Sequence, residues 1–235
     1  MPQVIRIARL PLPMRMGWVN PYLLRAADGF VLVDTGGANA RRALLRALGE
    51  AGCGPGSLRL VLLTHGDLDH TGSAAYLRVA FGAPVAMHRE DAAMGERGDM
   101  FANRKRPNAL VRALVPLLTG FGKPERFTPD LCVDEGKDLS RYGLEATVLW
   151  LPGHSRGSIG VLTAGGALFC GDLLENTKGP ALNSLMDDRA AGQASVERLR
   201  TMAIRMIYPG HGDPFGMEAL ARARRTAFAK ARGFR

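Results

Sequence analysis

The stretch Thr64-His65-Gly66-Asp67-Leu68-Asp69-His70-Thr71-Gly72 constrains this chain more than any other, because it sets four potential metal ligands within six residues. The apolar run before it, Leu60-Val61-Leu62-Leu63, reads as a strand buried on both faces. A buried strand, a turn dense in imidazole and carboxylate, and a helix that starts on small residues can build an open metal site on a rigid support.

The chain has five histidines, and two of the remaining three stand in comparable settings. His154 lies in Leu151-Pro152-Gly153-His154-Ser155, after the apolar run 148–151. His211 lies in Tyr208-Pro209-Gly210-His211-Gly212, after 204–207. Asp172 closes Phe169-Cys170-Gly171-Asp172, after a hydrophobic run that begins at Ala167. Each is expected one to three residues past the end of a strand. The adjoining glycines let the backbone turn sharply and leave room for an ion or substrate.

Taken together, these residues resemble the metallo-β-lactamase superfamily over nearly the entire chain. That family's signature is His-x-His-x-Asp-His, followed by an isolated His, an Asp and a final His. The matching positions are His65, Asp67, Asp69 and His70, then His154, Asp172 and His211. Val33-Asp34-Thr35-Gly36 is similar to the loop that the family places after an early hairpin. The resemblance implies an α/β fold, a four-layered αββα sandwich of two mixed β-sheets flanked by helices, as a single domain over residues 1–235. It also implies two divalent metal ions, zinc by family habit. His65, Asp67 and His154 would hold the first, and Asp69, His70 and His211 the second, with Asp172 bridging. A hydroxide shared by the ions would be the nucleophile, with Asp69 and Asp172 as the catalytic carboxylates and Asp69 orienting the attack.

Asp67 departs from the signature, which has histidine there. An aspartate Oδ and an imidazole Nδ1 both lie two bonds from Cβ, so the carboxylate reaches roughly the same point. A hard anionic oxygen shifts preference toward manganese or iron. The extra negative charge is expected to weaken the Lewis acidity of the first metal. Plainer readings stand beside these. Asp67 could accept backbone N–H groups in a loop, and Asp34 and Asp172 could be turn residues. Asp34 is otherwise a candidate acceptor behind a ligating histidine. His88 reads as structural or as a helix-start residue, and Cys170 as a small buried hydrophobe.

The rest of the chain is expected to supply the frame. Strands are expected at 4–7, 22–24 and 30–33, with Asp28-Gly29 as a hairpin signal. Helices are expected at 39–51, 71–81, 195–202 and, as a basic terminal helix, 217–231. Short strands are expected at 84–87 and between 131 and 170. Residues 89–128 read as a lid insertion over the metal site or as a packed surface helix pair, with helical spacing in 108–118. The segment 176–190 lacks periodicity and is expected to border the site.

At 235 residues with 46% hydrophobic content the chain can bury one sizeable core. No apolar stretch reaches membrane-spanning length, and the first residues lack the apolar core of a signal peptide. Three cysteines, Cys53, Cys132 and Cys170, show no paired metal spacing and fit a reduced, cytoplasmic setting. The net charge of +9 gathers at Arg104-Lys105-Arg106 and in the C-terminal arginines. These read as solvated helical faces rather than a nucleic-acid surface, so the expected partner is a small-molecule substrate. Hydrolysis of a small ester, thioester or lactone is the leading expectation, with β-lactams disfavoured by Asp67. Phosphodiester cleavage at the same metals and iron-dependent oxygen chemistry are the alternatives.

Overall fold

The computed structural model describes residues 4–6, 10–11, 18–104, 125–220 and 222. Six strands form the first sheet in the order β1 (Val4–Arg6), β4 (Tyr22–Ala26), β5 (Gly29–Val33), β6 (Leu58–Leu62), β7 (Val85–Met87) and β8 (Leu131–Cys132). The pairs from β1 to β5 are antiparallel and those from β5 to β8 parallel, so the sheet is mixed. The second sheet runs β14 (Phe215–Gly216), β13 (Met206–Gly212), β11 (Ala167–Asn176), β10 (Ile159–Thr163) and β9 (Ala146–Trp150), with β12 (Ala181–Leu182) paired to β11. A two-stranded ribbon of β2 (Leu10–Pro11) and β3 (Trp18–Val19) completes the β structure among the described residues.

Alternation along each strand explains why the sheets stack. In β5, Phe30 and Leu32 face one apolar cluster while Val31 and Val33 face another, and in β4 Leu23 parts from Tyr22 and Leu24 in the same way. The middle cluster joins Val31, Leu60 and Leu62 of the first sheet to Val148, Val161 and Phe169 of the second. An outer cluster seats α1 (Arg41–Glu50) through Leu44 and Leu48, and α3 (Ala74–Ala80) through Leu77. The opposite outer cluster seats α5 (Arg189–Leu199) through Val196 and Leu199 against Leu149, Leu168 and Ile207. Two sheets buried on both faces between helices give the four-layered αββα arrangement, with two-sided apolar strands as such layering requires.

Several elements differ from their sequence expectation for local reasons. The helix expected at 71–81 is two pieces, α2 (Leu68–Thr71) and α3, separated around Gly72. A Cβ on Gly72 would lie 2.2 Å from the Ala38 nitrogen, so the break is a point of close backbone approach. α5 begins at Arg189 rather than 195, because Asp188 caps it by accepting the Ala191 N–H at 2.9 Å. His88 starts a short 3-10 turn at Arg89–Asp91 through its Nδ1, which accepts the Glu90 N–H, in agreement with the helix-start reading. In the 89–128 insertion, α4 (Ala92–Arg97) is formed, while the expected helix at 108–118 falls outside the described residues. Of the basic helix at 217–231, only 217–220 and 222 are described. Cys53, Cys132 and Cys170 are all free thiols, and burial pushes Cys170 up to about 12. No helix among the described residues is long and apolar enough to cross a membrane.

Candidate metal centre

The seven singled-out side chains meet at one end of the two sheets. His65 follows β6, and Asp69 and His70 sit on α2, whose first turn Asp67 opens. His154 follows β9. Asp172 and His211 correct the strand-end expectation, because they lie inside β11 and β13. The β11–β13 ladder shifts register between Phe169 and Gly171 and again between Gly171 and Glu175. Irregularities of this kind re-aim a side chain without ending the strand. That is how a residue within a ladder turns its carboxylate to the sheet end.

All four histidines commit Nδ1 to an acceptor and leave Nε2 for the centre. His70 Nδ1 donates to Asp34 Oδ2 at 2.8 Å, His154 Nδ1 to the Leu185 carbonyl at 2.6 Å and His211 Nδ1 to the Trp18 carbonyl at 2.9 Å. The Thr64 hydroxyl donates to Asp34 Oδ2 at 2.8 Å and so accepts from His65 Nδ1 at 2.9 Å. Asp34 thus sets the tautomer of two histidines, one directly and one through Thr64, the arrangement expected behind metal-binding imidazoles. Its backbone is in the left-handed region at φ 59°, where aspartate is among the more tolerant residues.

The Nε2 atoms face carboxylates. His154 Nε2 is 3.0 Å and His65 Nε2 3.6 Å from Asp67 Oδ2. His211 Nε2 is 3.2 Å from Asp172 Oδ2 and 3.4 Å from Asp69 Oδ2, and His70 Nε2 is 3.4 Å from Asp172 Oδ1. Two triads bring one donor atom from each residue within 4.8 Å of one another: His65, His154 and Asp172, and Asp69, His70 and His211, with Asp67 in neither group. His65 Nε2 and Asp172 Oδ1 are buried without a hydrogen-bond partner. Orphaned polar atoms of this kind are costly in an interior unless something fills the gap. Imidazole nitrogens and carboxylate oxygens converging in two groups of three fit divalent first-row cations.

Residues outside the signature hold this geometry. The fully buried Asp91 accepts from Gly66 N and Ser155 Oγ with one oxygen, and from Gly157 N and Asn103 Nδ2 with the other. It therefore ties the loop of His65 to the loop of His154. Asn183 Nδ2 donates to Asp172 Oδ2 at 3.3 Å. Arg104 Nη1 lies 2.8 Å from Asp67 Oδ1. No sequence motif marks Asp91 or Asn183. Arg104 stood in a basic run read as solvated, yet its side chain is only 9% exposed.

Electrostatics show how strongly the centre draws positive charge. Burial works to lower His70, but Asp172, Asp69 and Asp34 overcome it and raise its pKa from 6.5 to about 9. His211 and His154 move upward for the same reason, against burial and toward their carboxylates. Burial would raise Asp67, Asp69 and Asp172, yet the cations beside them hold all three below the usual 3.8. In metal-free protein the His70 contribution to stability is full below pH 6.5 and is lost as pH climbs through about 9. The carboxylates contribute above their ordinary value and lose that contribution as pH falls through the lowered ones. Chelator-treated protein is therefore expected to melt lower at pH 9 than at pH 6.5. The metal-loaded form should show the smaller drop, because the ions take the place of those protons. Melting curves with the same pH dependence in both forms would contradict this competition.

A family profile described as the metallo-beta-lactamase superfamily matches residues 17–211. Metallo-beta-lactamase domain-containing protein 1 of Homo sapiens is 33% identical over 210 residues, covering 86% of this chain. The match takes in 65% of that relative, so the chain spans just under two-thirds of its length. Acyl-coenzyme A thioesterase MBLAC2 of Gallus gallus is 28% identical over 236 residues, covering 90% of this chain and 79% of that protein. The crystal structure of TTHA1623 in a di-iron-bound form superposes with a TM-score of 0.71 at 28% identity, covering 94% of this chain and 97% of that one. With the αββα layers and the convergent histidines and aspartates, these matches place the chain in the metallo-beta-lactamase superfamily.

Proposed function

We propose that the chain hydrolyses thioesters at a dinuclear metal centre. His65, Asp67 and His154 would hold the first ion and Asp69, His70 and His211 the second, with Asp172 facing both sets of histidines. The observation that carries this reading is the set of four Nε2 atoms, each fixed by a partner on Nδ1 and facing three carboxylates. The thioesterase named among the relatives favours the thioester over the ester or lactone.

When bound, a pair of divalent ions supplies a nucleophilic hydroxide near neutral pH and polarises the acyl carbonyl. The chain's own groups do the rest. Asp69 and His211 are the more open of the seven, with side chains 13% and 15% exposed, so the acyl group approaches on their side. There Asp69 would orient the nucleophile. The hydroxide oxygen bonds to the acyl carbon, the carbon–sulfur bond breaks, and the departing thiolate takes a proton from water, which regenerates hydroxide. A cavity of about 820 Å³ begins at Arg104 and Ser155, beside the first triad, and extends to Trp150 and Arg189. Its size suits a bulky thiol arm.

Protein purified without chelators is expected to carry two transition-metal ions per chain. It should cleave acyl-coenzyme A and S-acyl-glutathione substrates faster than lactones, p-nitrophenyl esters or bis(p-nitrophenyl) phosphate. Activity confined to the phosphodiester, or a single ion at saturation, would sink the proposal.

A further inference from the structure

Arg104 is a cation inside the centre that the signature and the usual donor set leave unexplained. Its guanidinium is buried, with Nη1 2.8 Å from Asp67 Oδ1 and Nε 3.0 Å from Asp187 Oδ2. Nη2 reaches the His154 carbonyl at 3.5 Å. The Asp67 carboxylate is therefore divided. Oδ1 belongs to the arginine, and Oδ2 faces His154 and His65. The guanidinium fork spans two carboxylates as an ion pair, one nitrogen to each, and it cannot lose its proton in doing so.

We propose that Arg104 is a positioning residue that makes Asp67 equivalent to the histidine the signature places there. The inference rests on the reading that Asp67 is a ligand. It has a geometric part and an electrostatic part. The ion pair with Arg104 engages Oδ1, so that Oδ2 is the atom left to face the first ion. It also sets against Asp67 a positive charge that Arg104 shares with Asp187, so part of the negative charge an aspartate adds in place of a neutral imidazole is neutralised. The weakened Lewis acidity expected from Asp67 alone is partly offset in this chain. Arginine and aspartate work as a pair, and each is a liability without the other.

The pairing makes an unusual demand on the test. Asp67→His, which restores the signature, is expected to weaken binding of the first ion, because the guanidinium then faces a neutral ring and a cation with no anion between them. Adding Arg104→Met in that background should recover the loss. The effect to be read is about tenfold to a hundredfold in dissociation constant, the range for groups that orient metal ligands. Stoichiometry and affinity for Zn²⁺ and Mn²⁺ are measured by chelator competition on the four proteins of the cycle, with no substrate present. Arg104→Lys keeps the charge without the fork and is expected to retain the charge balance while losing part of the affinity, which covers a failure of Arg104→Met to fold. If Arg104→Met changes affinity equally with either residue at position 67, the pairing is wrong. If Asp67→Asn leaves both affinity and stoichiometry intact, it is the ligand reading that fails instead.

Discussion

Replacing Asp34 by alanine is expected to cost the metal-free protein about 3–5 kcal/mol, the range for stripping one partner from a buried charged contact. Its carboxylate takes Thr64 N–H on Oδ1 and both the Thr64 hydroxyl and His70 Nδ1 on Oδ2, each at 2.8 Å, and the residue is 2% exposed. Alanine leaves three buried donors without an acceptor, in a left-handed backbone that aspartate tolerates better than alanine. Against a total stability of about 5–15 kcal/mol, this is a large fraction. Metal affinity should fall about tenfold to a hundredfold in parallel, since His70 and His65 lose the groups that fix their tautomers. Asp34→Asn separates the two effects. Its side-chain oxygen still accepts the Thr64 N–H, so part of the lost stability is recovered. Its amide nitrogen can accept from neither the Thr64 hydroxyl nor His70, so metal binding is not. Urea unfolding of chelator-treated protein and chelator competition read the two quantities. An Asp34→Ala protein with wild-type metal affinity would show that the tautomers are set elsewhere.

Asp34 also shows where the sequence could be read and where it could not. The ligands were legible because histidines are scarce in this chain and each chemical group sits beside glycine or proline after an apolar run. The two-sided strands were legible for a similar reason, because runs such as 60–63 have no polar face to give water. Asp34 could be named as a candidate acceptor, but its contact with His70 spans 36 positions and depends on how β5 and β6 lie side by side. Asp91 and Arg104 were beyond reach. A buried aspartate that clamps two loops has the same one-letter neighbours as a surface one. An arginine next to Lys105 and Arg106 looks solvated until the fold turns it toward Asp67. α5 was placed six residues late because its first turns hold arginine, glycine and glutamine, and the Asp188 cap rather than an apolar stripe defines the start. Local pattern fixes what a segment can do, whereas pairing across the chain decides what it does.

Gly210→Ala is the substitution expected to empty the second triad while leaving the fold in place. An added Cβ would lie 2.3 Å from Asp172 Oδ1 and 2.7 Å from His70 Cε1. It would therefore intrude on two of the groups that must close on an ion. The backbone at Gly210 is not in the left-handed region, so the strain falls on the ligands rather than on β13. Gly212 behaves differently. Its φ is +90° and its Cβ would meet the Asn176 carbonyl carbon at 2.1 Å, so alanine there disturbs the ladder itself. For Gly210→Ala, unfolding of metal-free protein should change by about 1–3 kcal/mol, the usual cost of overpacking. Stoichiometry should drop toward one ion per chain, and turnover by about a hundredfold or more, since misplacing reacting groups by an ångström suffices for that. Gly49→Ala, at a helical position with nothing within 4 Å of the new Cβ, is the control and should keep full metal content. Should Gly210→Ala bind two ions with wild-type affinity, His70 and Asp172 would have to lie farther apart in the loaded enzyme than they do here, and the assignment of Asp172 between the ions would fall with it.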